Sequence, residues 1–294
     1  MNASRFRGEP RIPPELLVVG GIGSVQFGAA FADTLFDEAG PGGVVLLRLL
    51  LSAAILLTIA RPSLRGRSRA DIAAAVTFGV VLAAMNWSFY EALDRLPLGA
   101  AVTIEFTGPL IVAVAGSRRL LDGVWLLLAA GGVLLLALRG GHHGIHALGV
   151  LLALVAAACW ACYILLSQRV GRAFARLDGL AIALGVGALL VVPAGVVQGG
   201  DTLLRPSVLG AGLGVALLSS LIPYSLEITA LRHLSAYRFG VLMSLEPAMA
   251  AFAGVLVLGQ HLTTVLSVAL LMVVIASVGN TVMARRLPVP QPEA

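Results

Sequence analysis

Apolar runs of about twenty residues alternate along this chain with short breaks that carry arginine, glycine and proline. About twenty apolar residues at 1.5 Å per residue cross the hydrocarbon core of a bilayer. On that criterion the pattern predicts ten spans. They run from about Pro14 to Phe36, Pro41 to Ala60, Asp71 to Ala92, Pro97 to Gly116, Gly123 to Leu138, His146 to Gln168, Leu177 to Val197, Pro206 to Ala230, Ser235 to Leu258, and Leu262 to Met283. Polar positions inside the runs are few and ordered. Gly23, Gln26, Ala30 and Asp33 recur at helical spacing on one face of the first span. The most unusual run is the fourth, where Glu105, Gly108 and Pro109 interrupt an apolar sequence mid-way. Proline has no N–H to give the carbonyl four residues back, so the Glu105 carbonyl loses its helical partner there. An ionisable group at such depth is a functional-site hypothesis by default.

Composition strengthens this picture. The chain is 59% hydrophobic and 12% charged, with a mean hydropathy of +0.96, which places it among all-α integral membrane proteins. The sequence pI near 10.0 does not imply nucleic-acid binding, because the arginines lie in short breaks between spans, where they set orientation. With the N-terminus inside, the inner segments hold sixteen arginines: Arg5, Arg7, Arg11, Arg61, Arg65, Arg67, Arg69, Arg118, Arg119, Arg169, Arg172, Arg176, Arg232, Arg238, Arg285 and Arg286. The outer segments hold three, namely Arg95, Arg139 and Arg205, and Arg48 lies within the second span, roughly 10 Å below its start. Both tails, residues 1–13 and 285–294, are therefore expected in the cytoplasm. The first span follows three arginines, as a signal peptide would. Its length and the lack of a small-residue cleavage site mark it as a retained helix.

An offset of 138 aligns Ala92-Leu93 with Ala230-Leu231, Leu96 with Leu234, Pro109 with Pro247, and Gly116 with Gly254. Residues 14–138 and 146–284 then read as two repeats of five helices. Five is odd, so the repeats enter the membrane in opposite senses, an arrangement that puts a transporter's site at midplane between them.

The chemistry-bearing residues are sparse. Glu105 and Glu246 each lie near a repeat-related proline, Pro109 or Pro247, and Glu227 lies one turn after Pro223. These acids, with Asp33 and Arg48, are candidates for proton coupling or charge pairing. For Arg48 the alternatives are a structural ion pair with an acid, outward snorkelling, or a place in the pathway. Glu91 sits near the outer surface, where solvation is the simple reading. Gln26, Asn86, Tyr90, Glu105, Trp160, Tyr163, Tyr224 and Glu246 are candidate substrate contacts, the aromatics offering ring faces to an ammonium group. Cys159 and Cys162 form a CxxC pattern without a βαβ context or further zinc ligands, and read as coincidence. His142, His143 and His146 read as a polar turn. No nucleotide, metal or other cofactor motif is present in the sequence, and none of the motifs of hydrolytic enzymes.

The segments Ser24-Val25-Gln26-Phe27-Gly28-Ala29-Ala30, Met85-Asn86-Trp87, Pro97-Leu98-Gly99 and Glu105-Phe106-Thr107-Gly108-Pro109 resemble the threonine/homoserine exporter branch of the EamA-type transporters, within the drug/metabolite transporter superfamily. Ser117-Arg118-Arg119, Ala158-Cys159-Trp160-Ala161, Pro223-Tyr224-Ser225-Leu226-Glu227 and Leu245-Glu246-Pro247-Ala248 extend the resemblance from about Leu16 to Arg286. It implies ten helices in two inverted halves, a bacterial inner-membrane location, and alternating-access export of small amino acids. The substrate's ammonium would face Glu105 or Glu246, and its carboxylate Arg48 or a helix N-terminus. Three positions depart from the branch. Asp33 stands where a lysine is expected, which favours a more cationic solute or a pairing with Arg48. Gln260 stands where a glutamate is usual, and Cys162 is an additional cysteine. Efflux of another metabolite or a drug-like cation, a passive channel and an intramembrane enzyme are the alternatives to amino-acid export.

Overall fold

The computed structural model describes residues 12–63, 66–115, 120–139, 146–174, 177–223, 226, 230 and 242–284. Among these the chain is helical, with no strand. The helices are α1 (Pro14–Asp33), α2 (Phe36–Ala60), α3 (Arg69–Leu93), α4 (Leu98–Glu105), α5 (Thr107–Ala115), α6 (Leu120–Arg139), α7 (Ala147–Ala173), α8 (Asp178–Gly199), α9 (Pro206–Ala216), α10 (Glu246–Leu258) and α11 (Thr264–Ala284). A 3₁₀ turn, Gly200–Leu204, follows α8, and a π turn, Leu217–Leu221, follows α9.

Local chemistry sets the helix ends. Ser68 caps α3 by accepting the Asp71 N–H at 3.1 Å, and its hydroxyl donates to the Asp71 carboxylate at 2.7 Å. Pro14 and Pro206 open α1 and α9, where the missing N–H is one that the first turn leaves unpaired anyway. Gly259 ends α10 in the left-handed region, and the Gln260 N–H closes the turn onto the Gly254 carbonyl at 3.1 Å. Within α2, Gly40 takes φ 64°, ψ 156°, a conformation that only glycine adopts without strain, just before Pro41. A short turn from Phe36 thus precedes the kink at Gly40, and the regular helix runs on from Pro41, where the sequence places its start. Counted from Pro41, Arg48 is seven residues along the regular part of α2, roughly 10 Å from its start.

Five helical segments are long and apolar enough to cross a membrane: Pro14–Asp33, Phe36–Ala60, Arg69–Leu93, Ala147–Ala173 and Asp178–Leu204. Leu98–Val112, Gly123–Leu136, Pro206–Leu221, Glu246–Leu258 and Thr264–Gly279 are shorter apolar stretches. Large apolar side chains such as Ile59, Leu127, Leu189 and Val197 point outward. With the outside apolar, the helices cannot be held by hydrophobic sorting alone, and close backbone packing takes over. Helix α8 shows how. Gly179, Ala183, Gly187, Val191, Gly195 and Gly199 recur every four residues, and all are buried. Gly187 packs on the Gly79 carbonyl of α3, and Gly195 on Gly42 and Leu46 of α2.

The partnerships cross the chain. The most extensive contact of α2 is with α8. Helix α3 lies on α7 and α8, α6 on α11, and α4 on α10 and α7. Helix α5 lies on α7, α2 also meets α9, and α1 packs on α10, α9 and the π turn. Contacts among neighbours along the chain are sparse by comparison.

Candidate functional site

Three interruptions of helix carry the candidate residues. The first is the break between α4 and α5. One helix over Pro97–Gly116 was the expectation; the chain instead stops at Glu105 and restarts at Thr107. Pro109 is the physical reason, since it falls in the first turn of α5, where its lost N–H leaves nothing unpaired. Each residue of the motif has a task. Phe106 sets its ring edge-on to Trp160 of α7, at 5.9 Å between centroids. The Thr107 hydroxyl donates to the Ile104 carbonyl at 2.7 Å. Gly108 lies so close to the backbone of Ala157 that a Cβ there would fall on the Ala157 carbonyl. Glu105 is left at the end of α4, half-buried, and its side chain is in none of the salt bridges found among the described residues.

The second interruption is the π turn after α9, where a continuous helix over Pro206–Ala230 was expected. A π turn loosens the carbonyl ladder, and its acceptors need other donors. Side chains of α1 and α2 supply them. The Ser24 hydroxyl donates to the Leu218 carbonyl at 2.7 Å, Ser52 to the Ala216 carbonyl at 3.5 Å, and Arg48 Nη2 to the Ser219 carbonyl at 2.8 Å. Arg48 Nε also donates to Ser220 Oγ and Nη1 to Tyr90 Oη, each at 3.2 Å. The guanidinium lies 5.5 Å from the centre of the Tyr90 ring. Gly28 of α1 packs directly on the buried Ser219 hydroxyl.

Arg48 therefore follows neither of the two bland expectations. It does not snorkel, being only 8% exposed, and it has no acid within 4.0 Å among the described residues, Asp33 included. Among the described residues, three of its five N–H groups are used. Its charge is felt by Glu105, and Cys159 of α7 lies within the field of the same carboxylate. Asp33, at the end of α1, lies instead in the field of Asp94 and Asp37.

The third interruption is the turn at Ser244 and Leu245, from which α10 starts at Glu246 with Pro247 second. Glu246 is buried and sits at the positive end of its helix dipole, whereas Glu105 sits at the negative end of its own.

The remaining candidates divide. Asn86 is buried and donates to its own helix, to the Leu82 carbonyl at 2.8 Å. Tyr90 is 0% exposed, so it contributes through Arg48 and not as an open ring face. Trp160 is half-buried against Phe106, and Tyr163, three residues further along α7, packs instead on Phe78 of α3, with ring centroids 5.2 Å apart. Gln26 is buried in α1, and Pro223 lies just beyond the π turn. Tyr224 and Glu227 lie outside the described residues. Glu91 is not simply solvated. It is buried, paired to Arg95 at 2.8 Å, and accepts from Gln198 Nε2 at 2.9 Å. Gln198 Oε1 in turn accepts the Gly42 N–H at 2.7 Å, so one glutamine joins the kink of α2 to the end of α3. Gln260 likewise has a local use, accepting the Leu98 N–H at the start of α4 at 3.0 Å. Sequence reasoning missed Ser24, Ser52, Ser219 and Ser220. Their only signal was a cluster of hydroxyls in runs otherwise apolar.

Residues 147–282 match the model of the EamA-like transporter family. The chain is similar to the threonine/homoserine exporter RhtA of Salmonella typhimurium LT2, at 42% identity over 278 residues, 94% of this chain and 93% of that protein. It is also similar to the protein of the same name from Escherichia coli K12, at 41% over 276 residues, 93% and 92% of the two chains. A solved crystal structure, 19% identical, covers 92% of this chain and 98% of its own, with a TM-score of 0.63, a likeness of fold.

Proposed function

The chain belongs to the EamA-like transporter family, a family of transporters and not of enzymes, and from that premise we propose that it exports threonine, homoserine or a closely related amino acid across a bacterial inner membrane. The observation that carries this reading is the likeness to proteins named as threonine/homoserine exporters over more than nine-tenths of both chains. The interior is suited to a zwitterion. Arg48, which has no counter-acid within 4.0 Å among the described residues, lies in electrostatic reach of a half-buried glutamate at a helix break. A small amino acid spanning the two would present its carboxylate to the unused N–H groups of Arg48 and its ammonium to Glu105. Trp160 and Phe106 border the same break.

Ten spans in two inverted repeats, 14–138 and 146–284, provide the moving parts. Contact symmetry supports them. The offset of 138 exchanges α1 with α7, α2 with α8, α3 with α9, α4–α5 with α10, and α6 with α11. Under that exchange the α2–α8 and α6–α11 contacts map onto themselves. The α3–α7 contact maps onto α1–α9, α3–α8 onto α2–α9, and α5–α7 onto α1–α10. The same offset carries the break at Phe106 onto Ser244. Rocking of one repeat against the other would open the site to either side in turn. Both termini lie in the cytoplasm on the arginine count.

Glu105 is the proton carrier in this reading, with Glu246 held by its helix dipole. The test uses proteoliposomes loaded with L-threonine. Wild type moves threonine, faster when the receiving side is the more acidic, because a proton then runs down its gradient against the substrate. Glu105→Gln removes that acceleration. Equal rates for wild type and Glu105→Gln with and without the gradient would sink the coupling, and no saturable threonine flux would sink the substrate. Asp33, at the end of α1 and in the field of Asp94 and Asp37, favours a second reading, a more cationic solute. Competition by a panel of amines decides between the two.

A further inference from the structure

Helix α7 carries a feature that transport does not use. Leu148, Leu151, Val155, Ala158, Cys162 and Leu165 are all exposed and recur at alternating spacings of three and four, so they form one apolar stripe along the helix. From Leu148 to Leu165 the stripe is roughly 26 Å long, close to the thickness of the hydrocarbon core. The same spacing continues to Arg169 and Arg172, also exposed, and the chemistry changes there from apolar to cationic.

These two arginines line a cleft of about 660 Å³ with Asp71, Leu165 and Ala173. Neither guanidinium pairs with Asp71 or another acid within 4.0 Å among the described residues. Asp71 is already occupied, accepting from the Ser68 hydroxyl at the start of α3. A third arginine, Arg67, is fixed beside the cleft. Its Nη1 donates to the Ala173 carbonyl at 2.5 Å, and its guanidinium stacks 5.0 Å from the centre of the Phe174 ring. The turn that leads into α3 is thus tied to the end of α7, and among the described residues two cations are left without an acid at the foot of a lipid-length stripe.

We propose that this cleft binds the headgroup of an anionic phospholipid, with an acyl chain lying along the α7 stripe. The phosphodiester takes charge-assisted hydrogen bonds from Arg169 and Arg172, for which guanidinium geometry is well matched. A soluble anion satisfies the arginines alone; only a lipid also covers the apolar stripe that runs into them.

The test is native mass spectrometry of the full chain from detergent, with phosphatidylglycerol or phosphatidylethanolamine of identical acyl chains. Wild type retains phosphatidylglycerol in preference. Arg169→Gln with Arg172→Gln weakens that retention roughly 30-fold, at about 1 kcal/mol per arginine. Arg205→Gln, an exposed arginine at the start of α9, leaves it unchanged. Equal retention of the two lipids by wild type overturns the proposal, and that arm needs no variant. So does full retention of phosphatidylglycerol by the double variant. Displacement by an equal concentration of glycerol phosphate reassigns the cleft to free phosphate. A dimer that excludes lipid from α7 reassigns the stripe to a second copy.

Discussion

Arg48 makes its three hydrogen bonds to groups from two distant places in the chain: Ser220 Oγ and the Ser219 carbonyl of the π turn, and Tyr90 Oη of α3. A planar fork reaches all three at once, whereas a lysine ammonium on a single stem does not. Arg48→Lys is therefore expected to keep the charge and still lose about 1.5–3 kcal/mol of stability, the worth of a charged hydrogen bond in a buried site. Thermal unfolding of the purified protein in detergent measures it; an unchanged midpoint would show that the π turn does not depend on the fork. Threonine affinity should fall with it, since the N–H groups facing the substrate carboxylate are displaced. None of this partnership is legible locally, because 42 residues separate Arg48 from Tyr90 and 172 from Ser220. The sequence shows a buried cation and no sign of which neutral groups will hold it.

At the scale of elements, the break at Glu105 was half visible. Pro109 announced a lost hydrogen bond, but Gly108 decides how close the new helix comes to its neighbour. Gly108→Ala would drive a methyl group into the Ala157 carbonyl, and backbone cannot swing aside as a side chain tip can. A loss of about 1–3 kcal/mol is expected, read as a lower unfolding midpoint. Gly123→Ala, where an added Cβ meets nothing within 4 Å, should be neutral. The π turn had no comparable announcement. Leu217–Leu221 reads Leu-Leu-Ser-Ser-Leu, and nothing in that composition separates it from the α-helix before it. The short turn ahead of Gly40 was unannounced for a related reason. Pro41 before an apolar run marks the start of the regular helix, as found, whereas the polar Phe36–Ala39 turn ahead of it reads as a loop.

On the scale of the whole molecule, the long apolar runs were legible because each is a bilayer's thickness of apolar sequence between arginines. Which run lies on which was not, since small residues recur in nearly all of them. Orientation has a direct check. In a background of Cys159→Ala and Cys162→Ala, Arg205→Cys should react with a membrane-impermeant thiol reagent in intact cells. Arg69→Cys should react only after the inner membrane is opened. The reverse pattern would invert the proposed topology. The crossed partnerships also bear on how the protein is made. Helix α2 finds its main neighbour in α8 and α6 in α11, each well over a hundred residues further along the chain. At roughly 5–20 residues per second of translation, each early helix waits on the order of ten seconds for its neighbour to leave the ribosome. Throughout that wait Arg48 is without the π turn that satisfies it. The nascent first half must then be sheltered by lipid or by the insertion machinery, and a chain truncated after α6 should be a substrate for quality-control proteolysis and not a stable half-protein.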